Sequence, residues 1–521
     1  MNASLPIKIL AGLSILWLLK LVLLPRQRSA APLPPGPKGK PIIGNLADLS
    51  PPGAQEWKHW LGFKKLYGPI SSLTILGQTI IVLNDKRSAF DLLDKRSTIY
   101  SSRPRMTFAG EIVGWSDILA MQPYNARFRT YRKAMHRVLG SKVSTAQFYP
   151  LQDIEVRRFL LRVLESPADL IQHIRTEAGA VILKIAYGYT INPHGRDPLV
   201  DLANEAMDRF SVAASPGRWL VDTIPALKYM PEWFPGASFQ RTGRAWRKTL
   251  LDVIEKPYDL VRRRMRAGTH VPSYLSRLLE GKESLTEEEE LVAKWTAGAL
   301  YTGGADTTVS TLSTFYLAMA LHPDVQQKAH EELDRVLGPY TLPSFADRER
   351  LPYINAIVKE SLRWHPVAPM GIPHLCTQDD IYEGYLIPKG AVVMVNIWSI
   401  LHNPLTHPSP SSFNPSRYLT DTPEPDPATV AFGFGRRVCP GKLLAENTLY
   451  LSIAQSLAMF RVLRTEDTTV EFLPGVVSHP APFGVGVVPR SEEHERVVRG
   501  VNEGIVKGER EGGRGDIEGL I

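Results

Sequence analysis

Two cysteines in 521 residues, Cys376 and Cys439, exclude a disulfide scaffold. No internal repeat is visible, which excludes solenoids and arrays. Long apolar runs are equally scarce. Residues 7–24 form one, interrupted by Lys8, Gly12, Ser14 and Lys20, and a mean hydropathy of −0.12 excludes a polytopic membrane protein. Neither sign of charge dominates: 61 Lys and Arg stand against 53 Asp and Glu, a net +8. That mild surplus is spread along the chain and favours anionic lipid or an acidic protein partner, not nucleic acid. Apolar residues, in contrast, are plentiful at 44%, enough to offset chain entropy, so wholesale disorder is excluded too.

The 18-residue run at 7–24, at about 1.5 Å per residue, just spans a hydrocarbon core of about 30 Å. Arg26, Arg28, Lys38 and Lys40 follow it. They hold that side in the cytosol and argue against the alternative, a cleaved signal peptide. The expectation is an anchor over 1–31, a stiff proline-rich hinge at 32–37 and a cytosolic catalytic body to 490. Residues 491–521, rich in Glu, Arg and Gly, read as a charged disordered tail.

Between the ends the periodicity is mostly helical with a minor β portion. Residues 70–76 and 79–83 predict a hairpin turning at Gly77-Gln78. Thr286, with Glu289 three residues on, predicts a capping box opening a long buried helix to about Leu321. Further helices are predicted over 127–139, 325–337, 354–364 and 443–459, and interrupted strands over 381–397.

The segment Phe432-Gly433-Phe434-Gly435-Arg436-Arg437-Val438-Cys439-Pro440-Gly441 stands apart. Its glycines permit tight backbone geometry and expose amide hydrogens. Arg437 and the start of the next helix also favour an anionic sulfur. A thiolate ligand to a metal needs these features, although a lone cysteine in a glycine-rich turn is usually inert. A chance match to Phe432, Gly435, Arg437, Cys439 and Gly441 together is of order one in ten thousand. The motif resembles the haem-binding loop of the cytochrome P-450 (haem-thiolate) family, and this implies that Cys439 is the axial ligand to the iron of haem b.

Three other segments are similar to the same family. Gly303-Gly304-Ala305-Asp306-Thr307-Thr308 lies mid-helix, where two glycines invite a bulge or serve packing; the resemblance makes Asp306 and Thr307 the acid–alcohol pair that supports oxygen cleavage. Glu360 and Arg363, with Arg417, match a buried structural network. Phe128-Arg129-Thr130-Tyr131-Arg132 matches a propionate-binding segment in which most members carry Trp at the position of Phe128; Arg132 can still pair with a propionate, whereas Phe128 is left with packing alone. His374 stands where a basic propionate partner often lies, or else is a satisfied surface histidine. Cys376 reads as a core or strand residue.

The resemblance covers roughly residues 32–490 as one domain, overruling the three or four that length alone suggests. It is closest in character to microsomal fungal members that oxidise secondary metabolites. It implies a single-pass protein of the endoplasmic reticulum membrane, taking electrons from NADPH through a separate flavoprotein reductase, with cytochrome b5 as a second candidate donor. Arg127, Arg129, Lys133, Arg436 and Lys442 are candidate docking residues for that acidic reductase. The pocket is expected along 106–119, 299–307 and 367–370 and around Val477 and Phe483, stretches whose few charges (Glu111, Asp117, Asp306) point to a neutral lipophilic substrate of terpenoid or polyketide size. The alternative is a haem-thiolate isomerase or dehydratase that does not use NADPH, against which the Asp306–Thr307 pair speaks.

Overall fold

The computed structural model describes residues 31–500 apart from 52, 193, 194, 216 and 283. Residues 1–30 of the expected anchor and the tail beyond 500 therefore lie outside the described residues. No helix among the described residues is long and apolar enough to cross a membrane.

Ten helices of twelve residues or more carry the described chain: α1 (Glu56–Tyr67), α2 (Ala126–Leu139), α3 (Tyr149–Glu165), α4 (Leu170–Tyr187), α5 (Pro198–Ala213), α6 (Ser238–Arg266), α7 (Glu287–Leu321), α8 (Pro323–Leu337), α9 (Pro352–Trp364) and α10 (Lys442–Met459). Eight strands accompany them: β1 (Ile70–Ile75), β2 (Gln78–Leu83), β3 (His374–Leu375), β4 (Asp380–Tyr382), β5 (Tyr385–Ile387), β6 (Val392–Val395), β7 (Phe460–Arg464) and β8 (Val485–Pro489).

Helix α7 is the axis of the molecule. The Thr286 side chain accepts from the Glu289 amide, and the Glu289 carboxylate accepts from the Thr286 amide at 3.0 Å, the reciprocal cap that the spacing predicts. Four glutamates in its first turn suit the positive end of the helix dipole. From Val309 to Ala320 every side chain is buried, which explains why that stretch carries no charge on any face. Helices α4, α5 and α10 pack against it.

The main sheet runs β1-β2-β6-β3, with β2 and β6 parallel. The β1–β2 turn falls at Leu76-Gly77, both with positive φ, one residue earlier than predicted; this is the type I′ conformation that matches strand twist. Residues 492–500 are helical, not disordered, and Val498 is buried in the core. The segment breaks the expected pattern because His494 packs edge-on to Tyr340 at 5.0 Å and gives the end of the body something to hold.

Candidate active site

Cys439 sits in a loop held by its own backbone. Its amide donates to Phe432 O at 2.8 Å, and the turn Gly435–Arg437 lies between them. Gly433 has φ +82° and Gly441 precedes α10, where an added Cβ would come 3.8 Å from Cys439 Sγ. Gly435 serves packing: a Cβ there would meet Leu93 O at 2.3 Å, and the residue does not face the site. The Cys439 thiol looks into a cavity of about 370 Å³. Its accessible surface is cavity surface, so it is enclosed by protein although not packed. Burial pushes its pKa up, opposed by the Gly441 and Lys442 amides and the Arg132 charge.

The cavity is apolar above this thiol. Trp115, Ile118 and Leu119 line it, with Ala299, Leu300, Thr302, Val367, Met370 and Val477, as the sequence predicts. Phe483 does not; it is partly buried against a separate part of the hydrophobic core. Glu111 and Asp117 also stay out, the first paired with Arg105 and Lys228, the second with Arg127. Val181 and Ile182 of α4, Met207 and Phe210 of α5, and Val476 complete the lining. None of these is marked by a motif; only the way α4 and α5 cross α7 turns those faces inward.

The glycine pair in α7 divides its roles. Gly303 opens onto free space, whereas a Cβ on Gly304 would meet Ile182 Cγ1 at 2.7 Å. The helix is continuous through both, so the expected bulge is absent, and Gly304 instead lets α4 approach closely through Ile182. Thr307 lines the cavity and donates its hydroxyl proton to Gly303 O at 2.7 Å. Asp306, about 100° round the helix, faces away from the cavity and pairs with His479 Nε2 at 3.0 Å. The two are neighbours in sequence but do not converge.

At the other side, basic groups gather. Arg132 Nη1 donates to Val438 O at 2.6 Å. Arg437 donates to Ser101 O and Gln122 O, each at 2.6 Å, and lies 3.8 Å over the Phe128 ring. Phe128 thus does more than pack: it supports a cation. His374 is buried, not a surface residue, and its Nδ1 donates to Tyr100 O at 2.8 Å. Arg103, unmarked by any motif, donates to Ala120 O, Ile372 O and Pro373 O and joins the lining beside Phe432. Burial pushes the pKa of each of the three guanidiniums down. No carboxylate among the described residues pairs with them. One buried and two half-buried cations around one apolar cavity are costly alone and call for an anionic ligand. A planar macrocycle with two carboxylates and an iron for the thiol fits these residues.

Behind this cradle lies a second charged group. Glu360 takes a two-pronged ion pair from Arg363 (2.7 and 2.8 Å), a bond from Arg417 Nε (3.2 Å) and one from the Asn414 amide (2.8 Å). Arg417 also pairs with Glu424 at 2.7 Å. Glu360 and Arg363 are fully buried. Cys376 is fully buried as well and donates to Gln378 O. Of the candidate docking residues, Arg127 is already engaged by Glu288 at 2.9 Å. Arg129 and Arg436 bracket Tyr124, Lys442 donates to Ala428 O, and Lys133 is exposed.

Comparison with known proteins agrees with this geometry. The family described as Cytochrome P450 matches residues 34–487, and the chain belongs to that family. It is similar to cytochrome P450 monooxygenase claR of Ampulloclitocybe clavipes, 47% identical over 90% of this chain and 89% of that one. Cytochrome P450 monooxygenase ppsD of Aspergillus oryzae is 46% identical, covering 94% of both. O-methylsterigmatocystin oxidoreductase of Aspergillus flavus is 43% identical, covering 93% of both. The chain is accordingly a P450 monooxygenase, an oxidoreductase with haem as its cofactor.

Proposed function

We propose that this enzyme inserts one oxygen atom from O2 into a neutral, lipophilic small molecule of terpenoid or polyketide size, as a step in fungal secondary metabolism. The single observation that carries the reading is the Cys439 thiol at the floor of an apolar cavity ringed by Arg103, Arg132, Arg437 and His374. Bound haem would supply the activation of dioxygen. The chain's own share is to offer Cys439 to the iron, with Gly441 and Lys442 amides favouring the thiolate, and to hold the propionates with Arg103, Arg132, Arg437 and His374. Thr307, its proton engaged with Gly303 O, presents hydroxyl lone pairs to the cavity, and Asp306 handles protons behind it. Glu360, Arg363 and Arg417 keep the loop's surroundings rigid. The apolar lining excludes water and suits a substrate without charge.

Electrons come from NADPH through a flavoprotein reductase docking on Arg129, Lys133, Arg436 and Lys442. The body rests on the cytosolic face of the endoplasmic reticulum. Support for membrane contact comes from Tyr229 and Trp233, 79% and 80% exposed, with exposed Leu220 and Phe234 nearby in sequence. The test is isotopic dioxygen, a fungal reductase and a panel of terpenoid and polyketide scaffolds. Products carrying one labelled oxygen, absent from Cys439→Ala, are the expected result. Unlabelled products made without NADPH would replace this reading with an isomerase or dehydratase.

A further inference from the structure

We propose that His479 is a positioning residue for Asp306 and resupplies it with protons from solvent. The segment bearing His479 bends between the cavity and α7. Phe472 and Pro480 pair across its base, and Val476 and Val477 at its tip line the cavity. The next two residues grip one face of α7, since positions four apart share a face. Ser310 Oγ donates to Ser478 O at 2.6 Å, and His479 Nε2 meets Asp306 Oδ1 at 3.0 Å. His365 fixes the base, stacked on Phe472 at 3.6 Å and bonded to Ser478 Oγ at 2.8 Å. The histidine is therefore held from both ends.

Its surroundings form a path graded in exposure. The Asp306 side chain is 6% exposed and that of His479 is 21% exposed; Asp208 on α5 is at the surface. The charged and titratable groups that face the pair are Asp208 from α5, itself beside Glu205 of α5 and Arg175 of α4, and His365 after α9. The proton step balances simply. The Nε2–H bond of the imidazolium breaks as an O–H bond forms on Asp306 Oδ1; the ring then turns its bare Nε2 to the exposed edge, where hydronium from solvent gives up a proton to it and becomes water.

The inference rests on Asp306 being the acid that handles protons, so the two are tested apart in the full chain with reductase. The readouts are the share of NADPH electrons recovered in product against hydrogen peroxide, its solvent isotope effect, and its dependence on pH between about 5 and 8. Asp306→Asn tests the underlying reading: unchanged product share and isotope effect would remove it, whatever His479 does. Where Asp306 matters, His479→Gln is expected to lower coupled turnover by about tenfold, below the usual effect of a full acid or base, and to flatten the pH dependence. His479→Arg, which keeps the ion pair, is expected to restore part of the turnover but not the pH dependence. Wild-type coupling and pH profile in His479→Gln would overturn the proposal. A readout free of activity is the thermal midpoint. Asp306→Asn and His479→Gln combined are expected to lose no more than the larger single loss, and strictly additive losses would overturn the positioning role.

Discussion

Two groups of arginines in this molecule, one buried and one mostly half-buried, solve the same problem in opposite ways. Arg363 and Arg417 find carboxylates within the chain, Glu360 and Glu424, and every prong of Arg363 has a partner. Arg103, Arg132 and Arg437 find only backbone carbonyls. The first group is balanced with no outside help and so belongs to the scaffold. The second is unbalanced, and the missing charge must come from a ligand. Charge balance, more than proximity to the cysteine, separates structural from cofactor-holding residues here.

The largest effect should come from breaking the balanced group. Glu360→Gln would leave the buried Arg363 guanidinium without counter-charge and Arg417 with Glu424 alone, a loss of about 3–5 kcal/mol. Thermal unfolding should show it in both haem-free and haem-loaded protein. Equal stability to wild type would mean the network is not what holds this region.

A third treatment of buried charge sharpens the contrast. Glu177 on α4 is fully buried, with Ser452 as its hydrogen-bond partner, and burial raises its pKa to about 8. It balances its charge by keeping its proton. Because the folded pKa lies above the unfolded value of 4.5, this contribution is fully present below about pH 4.5. It is lost as pH rises toward 8, by at most about 1.4 kcal/mol per unit. Glu177→Gln, an uncharged replacement, should remove that slope and raise stability at neutral pH by at most about 3 kcal/mol, read from unfolding midpoints across pH. An unchanged slope would show that Glu177 pairs after all.

The unbalanced group predicts opposite signs with and without cofactor. Arg132→Ala should leave the haem-free protein as stable as wild type or more so, since an uncompensated cation is removed. It should weaken haem retention by about 1.5–3 kcal/mol, the worth of a hydrogen bond to a charged group. Haem transfer to an acceptor protein measures the second and unfolding of the haem-free protein the first. A loss of stability in the haem-free protein like that of Glu360→Gln would erase the distinction between the two groups.

How much of this was readable in advance follows the range of the interactions. The Thr286 cap, the loop of Cys439 and the Glu360–Arg363 spacing are local, and local geometry is written in adjacent residues. Asp306 and Thr307 are adjacent too, and any helix turns them about 100° apart, yet which of them meets the cavity is set by α4, which packs on Gly304, and by His479, 173 positions away. Arg103 escaped notice because its meaning lies in what surrounds it. The helical start of the C-terminal segment escaped because charged residues flank one buried valine, Val498.

The smallest effect is expected where arginines and lysines are neither balanced nor buried. Lys133 on α2 is exposed and makes no ion pair among the described residues, and Arg129, one helical turn before it, is exposed and lies 5.8 Å over the Tyr124 ring. Water stabilises both, so reversing either charge should change stability by less than about 0.5 kcal/mol. Their worth lies in the field they add outside the protein. Lys133→Glu should slow reduction by the flavoprotein and weaken its dependence on salt, because long-range attraction is screened beyond about 10 Å at 0.1 M ionic strength. Stopped-flow reduction at two ionic strengths measures both. Wild-type rates and salt slopes in Lys133→Glu and Arg129→Glu would move the docking face elsewhere and leave these residues as solvated surface.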